Sequence, residues 1–397
     1  MAVEPPERTV PHAVPLCAPC QASLQGVEVR GEEERQGFEL PAIRIAVTAH
    51  RAEITVCPAC GTSSQGAFPD AVTHAVHEGP TVQPWASYCT NHHPMPVERT
   101  TEIFADVVQP QRSAATVVQA SEHFDTCLAP STEAVQALWR AAEVLPGEAS
   151  GLRVRGTWPW LHVASPERRT SSEVHAPRGH AAMEAAGMLG PCRGTVVHDH
   201  WKPSLTYDEC AHALCQAHHL RALRCIATQY PQAWANDMAG LLVAITAAVA
   251  ATPAPALCGA LPELRAFETR SDAMVQAGGE ANPVPGPATE GAAKKRGRPK
   301  QPPPVHLLIR LRDCKGPVLA CMSDFRVPFD NHQGERDIRM VQVTQKGSGG
   351  CRTLEGAQRC GRIRGYLSTA RKHAQNVFEA IRDAFEGAPF IPSPEMQ

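Results

Sequence analysis

The sequence predicts an α/β protein whose folded segments are separated by linkers, on three observations. Short strand-like runs at 151–155, 160–164 and 194–198 stand between longer stretches with helical spacing of apolar residues. The 29 Gly and 36 Pro among 397 residues exceed ordinary usage and gather in interruptions between those runs. Two Cys-x-x-Cys pairs precede everything else and set off a small module of their own. At this length two or three domains are expected.

In chain order, residues 1–16 are Pro-rich and read as disordered. Residues 17–67 hold Cys17-x-x-Cys20 and Cys57-x-x-Cys60-Gly61, with period-2 stretches at Ile43, Ile45, Val47 and at Ile54, Val56, so two knuckles on a β-ribbon are expected. Four thiolates can close a tetrahedral Zn²⁺ site that folds a small domain and performs no chemistry. A redox dithiol and plain core cysteines are the other readings. Residues 68–140 read as a helical DNA-binding or connecting region, from the apolar spacing at 101–108 and 134–144.

The segment 141–220 carries the three strand-like runs, the third ending in Asp199, and 208–230 reads as a helix. Helices are expected to continue through 221–270, where the apolar run 238–251 is too short to span a bilayer and reads as a buried core helix. Residues 271–304 read as a Gly/Pro/Ala linker with a basic arm, Lys294, Lys295, Arg296, Arg298 and Lys300. That arm suits a DNA minor groove and equally a solubilising charge run. Residues 305–345 close the core, 305–312 as a strand or short helix, and Asp330, Asn331 and His332 lead into a helix bearing Glu335, Arg336 and Arg339. The last segment, 346–397, reads as helical, with an amphipathic helix at 369–385.

Charge narrows the partners. The formal net charge of −2 hides an asymmetry, +9 from residue 291 onward and −11 before it, which makes the C-terminal part a nucleic-acid surface candidate. Only seven of the 38 cations are Lys; the Arg excess suits bidentate phosphate contacts and equally a GC-rich codon bias. Fifteen Cys, an odd number, with no apolar leader in the first ten residues, make a reducing cytosol the expected compartment.

Several ordered motifs resemble transposases of the IS-sixty-six type of insertion sequence: Val197-His198-Asp199-His200-Trp201-Lys202, Cys215-Gln216-Ala217-His218-His219-Leu220-Arg221, and the run from Pro328 through Arg339 to Lys346-Gly347-Ser348-Gly349. Arg352 to Ala357 and Arg364 to Lys372 continue it. The knuckles, Trp160-Leu161-His162-Val163 and Arg178-Gly179 fall in the family's order, so the resemblance covers about residues 10–392. It implies an RNase H-like catalytic core with a helical insertion, preceded by a small zinc-ribbon-like domain and followed by a C-terminal helical segment.

The resemblance also implies a DDE set of three acids on Mg²⁺ or Mn²⁺, with the second acid at Asp199 and the third at Glu335. The first falls on Glu148, where the family's Asp-Glu-Thr-Gly is replaced by Glu148-Ala149-Ser150-Gly151. Glu148 keeps the charge with one methylene more, and Ala149 removes a carboxylate that could support the site. Arg336, Arg339 and Lys346, with Arg296, Arg298 and Lys300, are expected on DNA; for Glu335 and Arg339 an i, i+4 ion pair is the alternative. His198, His200, His218, His219 and Cys215 read as packing or substrate contacts, or as a metal site. Relatives carry a further helical region ahead of the knuckles, whereas sixteen residues precede Cys17. The implied activity is cleavage at element ends and strand transfer by a homo-oligomer, with companion proteins of the same element as possible partners and no membrane. The alternative is a catalytically impaired, zinc-containing DNA-binding remnant.

Overall fold

A computed structural model describes residues 8–40, 43–70, 72, 74–76, 78–175, 192–253, 256–283 and 301–393. The chain divides into two units, Met1–Ala46 and Val47–Gln397. In the first, the backbone around Cys17 and Cys20 makes a tight turn closed by Cys17 N–H to the Ala22 carbonyl at 2.8 Å. Gln21 takes the left-handed conformation that this turn needs (φ 56°).

The second unit opens on a hairpin of β1 (Ile54–Val56) and β2 (Ser63–Gln65), with Cys57 and Cys60 at its tip. Of the expected ribbon, Ile54 and Val56 are in a strand; Ile43, Ile45 and Val47 are not. Four helices follow: α1 (Val82–Ser87), α2 (Val97–Ile103), α3 (Ala114–Cys127) and α4 (Ala129–Arg140). The first two each run on into a π-helical turn.

A five-stranded mixed sheet is the scaffold of the site. It comprises β3 (Val144–Gly151), β4 (Trp160–Ala164), β5 (Ser171–His175), β6 (Thr195–His198) and β7 (Ala211–Leu214), in the spatial order β5-β4-β3-β6-β7. The first three strands form an antiparallel meander, and β6 and β7 pair in parallel. This arrangement is consistent with an RNase H-like core.

Two expectations change here. The first strand is not 151–155 but Val144–Gly151, because Pro146-Gly147, a turn signal in sequence, lies inside a strand paired on both sides. The turn lies where Gly156-Thr157-Trp158-Pro159 signals one in sequence, with Arg155 and Gly156 at positive φ. Nor is 208–230 one helix: Ala211–Leu214 adds to the sheet edge beside β6, and α5 (Gln216–Gln229) begins after it.

The insertion is α5, α6 (Ala233–Ala251) and α7 (Leu261–Ala281), so helix extends eleven residues into the expected linker. Helix α6 is the one described helix long and apolar enough to cross a membrane. Its Trp234, Met238, Leu241, Leu242 and Ile245 instead enter a core with Leu223 and Ile226 of α5 and Val197 of β6, as expected of a core helix. The basic arm with Arg296, Arg298 and Lys300, and Arg178-Gly179, lie outside the described residues.

After the linker come α8 (Pro303–Asp313), a helix where strand and helix were both open, and α9 (Lys315–Ser323), both packed into the same core. Helix α10 (His332–Ser348) lays Ile338 and Val341 against Leu161 and Val163 of β4 and Val174 of β5. The amphipathic stretch 369–385 is split between α11 (Leu354–Lys372) and α12 (Val377–Phe385). Ala374 takes positive φ there (56°), and the Asn376 side chain caps α12 by accepting from the Phe378 and Glu379 N–H groups.

Candidate active site

Strand register brings the first two acids level. Val144, Leu145 and Pro146 of β3 stand opposite Thr195, Val196 and Val197 of β6. Two residues further along the same register, Glu148 faces Asp199, just past the end of β6. Side chains alternate along a strand, so Glu148 shares a face with its β4 partner Val163, which packs against Ile338 and Val341 of α10. That helix carries Glu335, and the acid cluster lies on this face.

A short relay of hydrogen bonds fixes the third acid relative to the other two. The Cys215 N–H extends the β6–β7 ladder to the His198 carbonyl at 3.0 Å, and Cys215 Sγ accepts the Asn331 N–H at 3.3 Å. Gln216 N–H donates to the Phe329 carbonyl at 2.9 Å. Asn331, 1% exposed, turns its Nδ2 to the Gly147 carbonyl at 2.8 Å and to Glu148 Oε2 at 3.2 Å. Its own carbonyl accepts the Glu335 N–H at 3.1 Å, starting α10. The next position must be small: a Cβ on Gly334 would lie 3.0 Å from Asn331 Oδ1 and 3.3 Å from Glu148 Cβ. Glycine lets the helix approach β3 closely enough to set Glu335 beside Glu148.

The charge balance follows from this packing. Burial, then the charge of Asp199, push the Glu148 carboxyl up to about 7; Glu335 adds to this, and the Ala149 N–H and Asn331 oppose it. Glu335 Oε1 stands 3.7 Å from His218 Nε2, and among the described residues it is paired there and not with Arg339. Burial, with the neighbouring His212, His200 and Arg310, holds His198 at about 3 and His200 and His219 at about 4, so these rings are neutral near pH 7. His198 Nε2 is 3.3 Å from His212 Nδ1, and His219 Nδ1 is 3.1 Å from the Cys215 carbonyl.

Three oxygen donors of one sign, one of them raised by burial and by its acidic neighbours, suit a hard divalent cation and not a soft one. Among the described residues no three His, Cys, Asp or Glu side chains are gathered tightly enough to grip an ion as they stand. Ala149 pairs with His162 across β3 and β4. It lines one cleft together with Glu148, Asp199, His162, His198 and Trp201.

The cationic candidates Arg336, Arg339 and Lys346 are exposed on α10. Sequence reasoning missed Asp337, two residues after Glu335, which turns inward. Its carboxylate accepts from Ser165, from Thr170 Oγ1 at 3.0 Å, from Ser368 at 2.7 Å and from Gln333 at 3.1 Å, and pairs with Lys372 Nζ at 3.2 Å. Burial acts to raise Asp337, but Lys372 and these donors outweigh it and keep the group below the usual carboxylate range. Lys372 is held down by burial while Asp337 pulls it up. The signal in sequence was slight: an acid off the exposed stripe of an amphipathic helix.

Each Cys pair sits in a knuckle turn. Cys57 N–H donates to the Thr62 carbonyl and Gly61 N–H to the Cys57 carbonyl, both at 2.9 Å, with Gly61 at φ 71°. Thr62 holds the Cys60 thiol below its ordinary pKa, as the Ala22 N–H and Cys17 do for Cys20.

The model of the transposase IS66 family matches residues 77–359, most of the chain. The chain belongs to the IS66 transposase family. Comparison with curated proteins gives no match. Membership implies DNA binding, DNA transposition and divalent-metal catalysis by a DDE set, and the matched span of this IS66-family chain contains the sheet, the helical insertion and α10.

Proposed function

We propose that the chain is the DNA transposase of an insertion sequence, cutting at the element's ends and joining the freed strands to target DNA, with Glu148, Asp199 and Glu335 as its three acids. What carries this reading is the register that sets Glu148 level with Asp199 on the face against which α10 packs Glu335. These carboxylates would hold Mg²⁺ or Mn²⁺, which when bound supplies activation of the attacking oxygen and charge stabilisation on the leaving one. Asn331 and His218 orient Glu148 and Glu335, while Arg336, Arg339 and Lys346 offer exposed cations to DNA phosphates along the same helix. In the first step water oxygen attacks phosphorus and the P–O bond at the element end breaks, leaving a 3′-hydroxyl. In the second that hydroxyl attacks a target phosphodiester and displaces its bridging oxygen. The knuckle cysteines Cys17, Cys20, Cys57 and Cys60 are proposed as structural zinc ligands, a role that the tight turn at each Cys-x-x-Cys pair suits.

One observation favours a second reading, a DNA-binding protein impaired in catalysis: Glu148 carries its carboxylate one methylene further than the family's aspartate, and Mg²⁺ demands near-octahedral geometry. Nicking and joining of DNA bearing the element's own ends, in Mg²⁺ and in Mn²⁺, tests both. The natural protein is expected to act, and Asp199→Ala and Glu335→Gln to lose cleavage while still binding DNA. Cleavage retained by either variant removes the acid assignment. Activity seen only in Glu148→Asp establishes the impaired reading.

A further inference from the structure

Arg310 lies on α8, the first described helix after the linker, one turn before Cys314. The Cys314 N–H donates to the Arg310 carbonyl at 3.0 Å, and Cys314 Sγ is 3.4 Å from His200 Nε2. His200 directly follows Asp199 and has φ 72°, so α8 is fastened to the residue beside the second acid. The same helix sends Leu307, Leu308 and Leu311 into the core that also takes Val197, two residues before Asp199 on the same strand face. Arg310 is thereby brought to the acids' side of the sheet, where the charge of Asp199 acts on it and its own charge acts on His200 and His219.

Among the described residues this guanidinium makes no hydrogen bond and no ion pair, and its Nε is shut from solvent without an acceptor. Asp199 is close enough to act on it electrostatically but gives Oδ1 to the Trp201 N–H at 3.0 Å. A half-buried guanidinium whose Nε is shut from solvent and unpaired beside an acid is costly unless a ligand completes it. Arginine stays charged, and its planar fork matches two oxygens of a phosphate.

We propose that Arg310 holds a non-bridging oxygen of a phosphate in the DNA strand that crosses Glu148, Asp199 and Glu335, at the bond cut or next to it. This rests on the transposase reading and adds to it a substrate contact from the insertion side of the core. The inserted helices then have a task in the reaction: they return the chain to the sheet with a cation near Asp199.

The test uses end duplexes in which one phosphate at a time around the cut is replaced by neutral methylphosphonate. Binding is measured in Ca²⁺ and nicking of unmodified DNA in Mg²⁺, for the natural chain, Arg310→Ala and Arg310→Lys. One methylphosphonate is expected to weaken binding of the natural protein roughly tenfold, the scale of one charged hydrogen-bonded contact. Arg310→Ala should bind unmodified DNA weaker by a similar factor and be indifferent at that position, with Arg310→Lys in between. An Arg310→Ala protein with the natural methylphosphonate profile overturns the contact; if it does not fold, an undiminished profile in Arg310→Lys, together with natural affinity, does so. A natural protein that neither binds nor nicks end DNA removes the transposase reading and this contact with it, whereas normal nicking with an unchanged profile in the variant removes the contact alone.

Discussion

Glu148 is the residue at which sequence and structure meet most sharply. Its position on β3 places it between a hydrogen-bonding amide, Asn331, and two further acids, and the environment raises its carboxyl to about 7. A carboxyl raised on folding contributes no penalty below its unfolded pKa, near 4.5, and its folded form loses relative stability as the pH climbs through 7. Glu148→Gln should therefore stabilise the metal-free protein at pH 8 by up to about 3 kcal/mol and leave it unchanged near pH 4. Urea unfolding at the two pH values measures this, and Mg²⁺ should narrow the gap at pH 8 by favouring the ionised natural side chain. A variant less stable than the natural protein at pH 8 would show that Glu148 is not held against its charge.

At the scale of elements, α10 matters most, because the third acid is only as well placed as the helix that bears it. Three devices set that helix: Asn331 at its start, the glycine that lets it approach β3, and the buried Asp337–Lys372 pair that pins it to α11 and to the connection between β4 and β5. Lys372 also donates to the Pro166 and Arg169 carbonyls at 3.0 and 2.7 Å, so its removal leaves several acceptors and one carboxylate uncompensated. Lys372→Met is expected to cost about 3 to 5 kcal/mol in chemical denaturation, since the remaining charge stays buried. A loss under 1 kcal/mol would mean that water reaches Asp337 and that packing of Ile338 and Val341 alone positions α10.

At the scale of the whole molecule, charge is divided along the chain: the basic excess begins at the linker arm and continues through α10 and α11. Lys294, Lys295, Arg296, Arg298 and Lys300 lie between α7 and α8, just ahead of the helix that carries Arg310. If all five meet phosphates, deleting residues 294–300 should reduce the slope of log affinity against log salt by up to roughly 4.5, about 0.9 for each phosphate released. Fluorescence anisotropy across a salt series measures the slope, and an unchanged one would make this run a solubilising segment.

The sequence alone determined the family, the mixed α/β class, the helical insertion with its partly buried apolar helix, and the placement of Asp199 at a strand end and Glu335 in the first turn of a helix. These are local matters of periodicity, turn chemistry and motif order, carried by residues near one another in the chain. Only the tertiary structure decided that Pro146-Gly147 lies inside a central strand, that Ala211–Leu214 is an edge strand, that Asn331 donates to Glu148, that Asp337 pairs with Lys372, and that Cys314 ties the end of α8 to His200. Several of those outcomes depend on partners distant in the chain, such as Asn331 with Glu148 across 183 residues and Lys372 with Ser165 across 207. A Pro-Gly pair or a lone aspartate on a helix carries no local sign of which distant strand or lysine will satisfy it. Burial and hydrogen-bond satisfaction settle that, and they exist only once the sheet and α10 have come together.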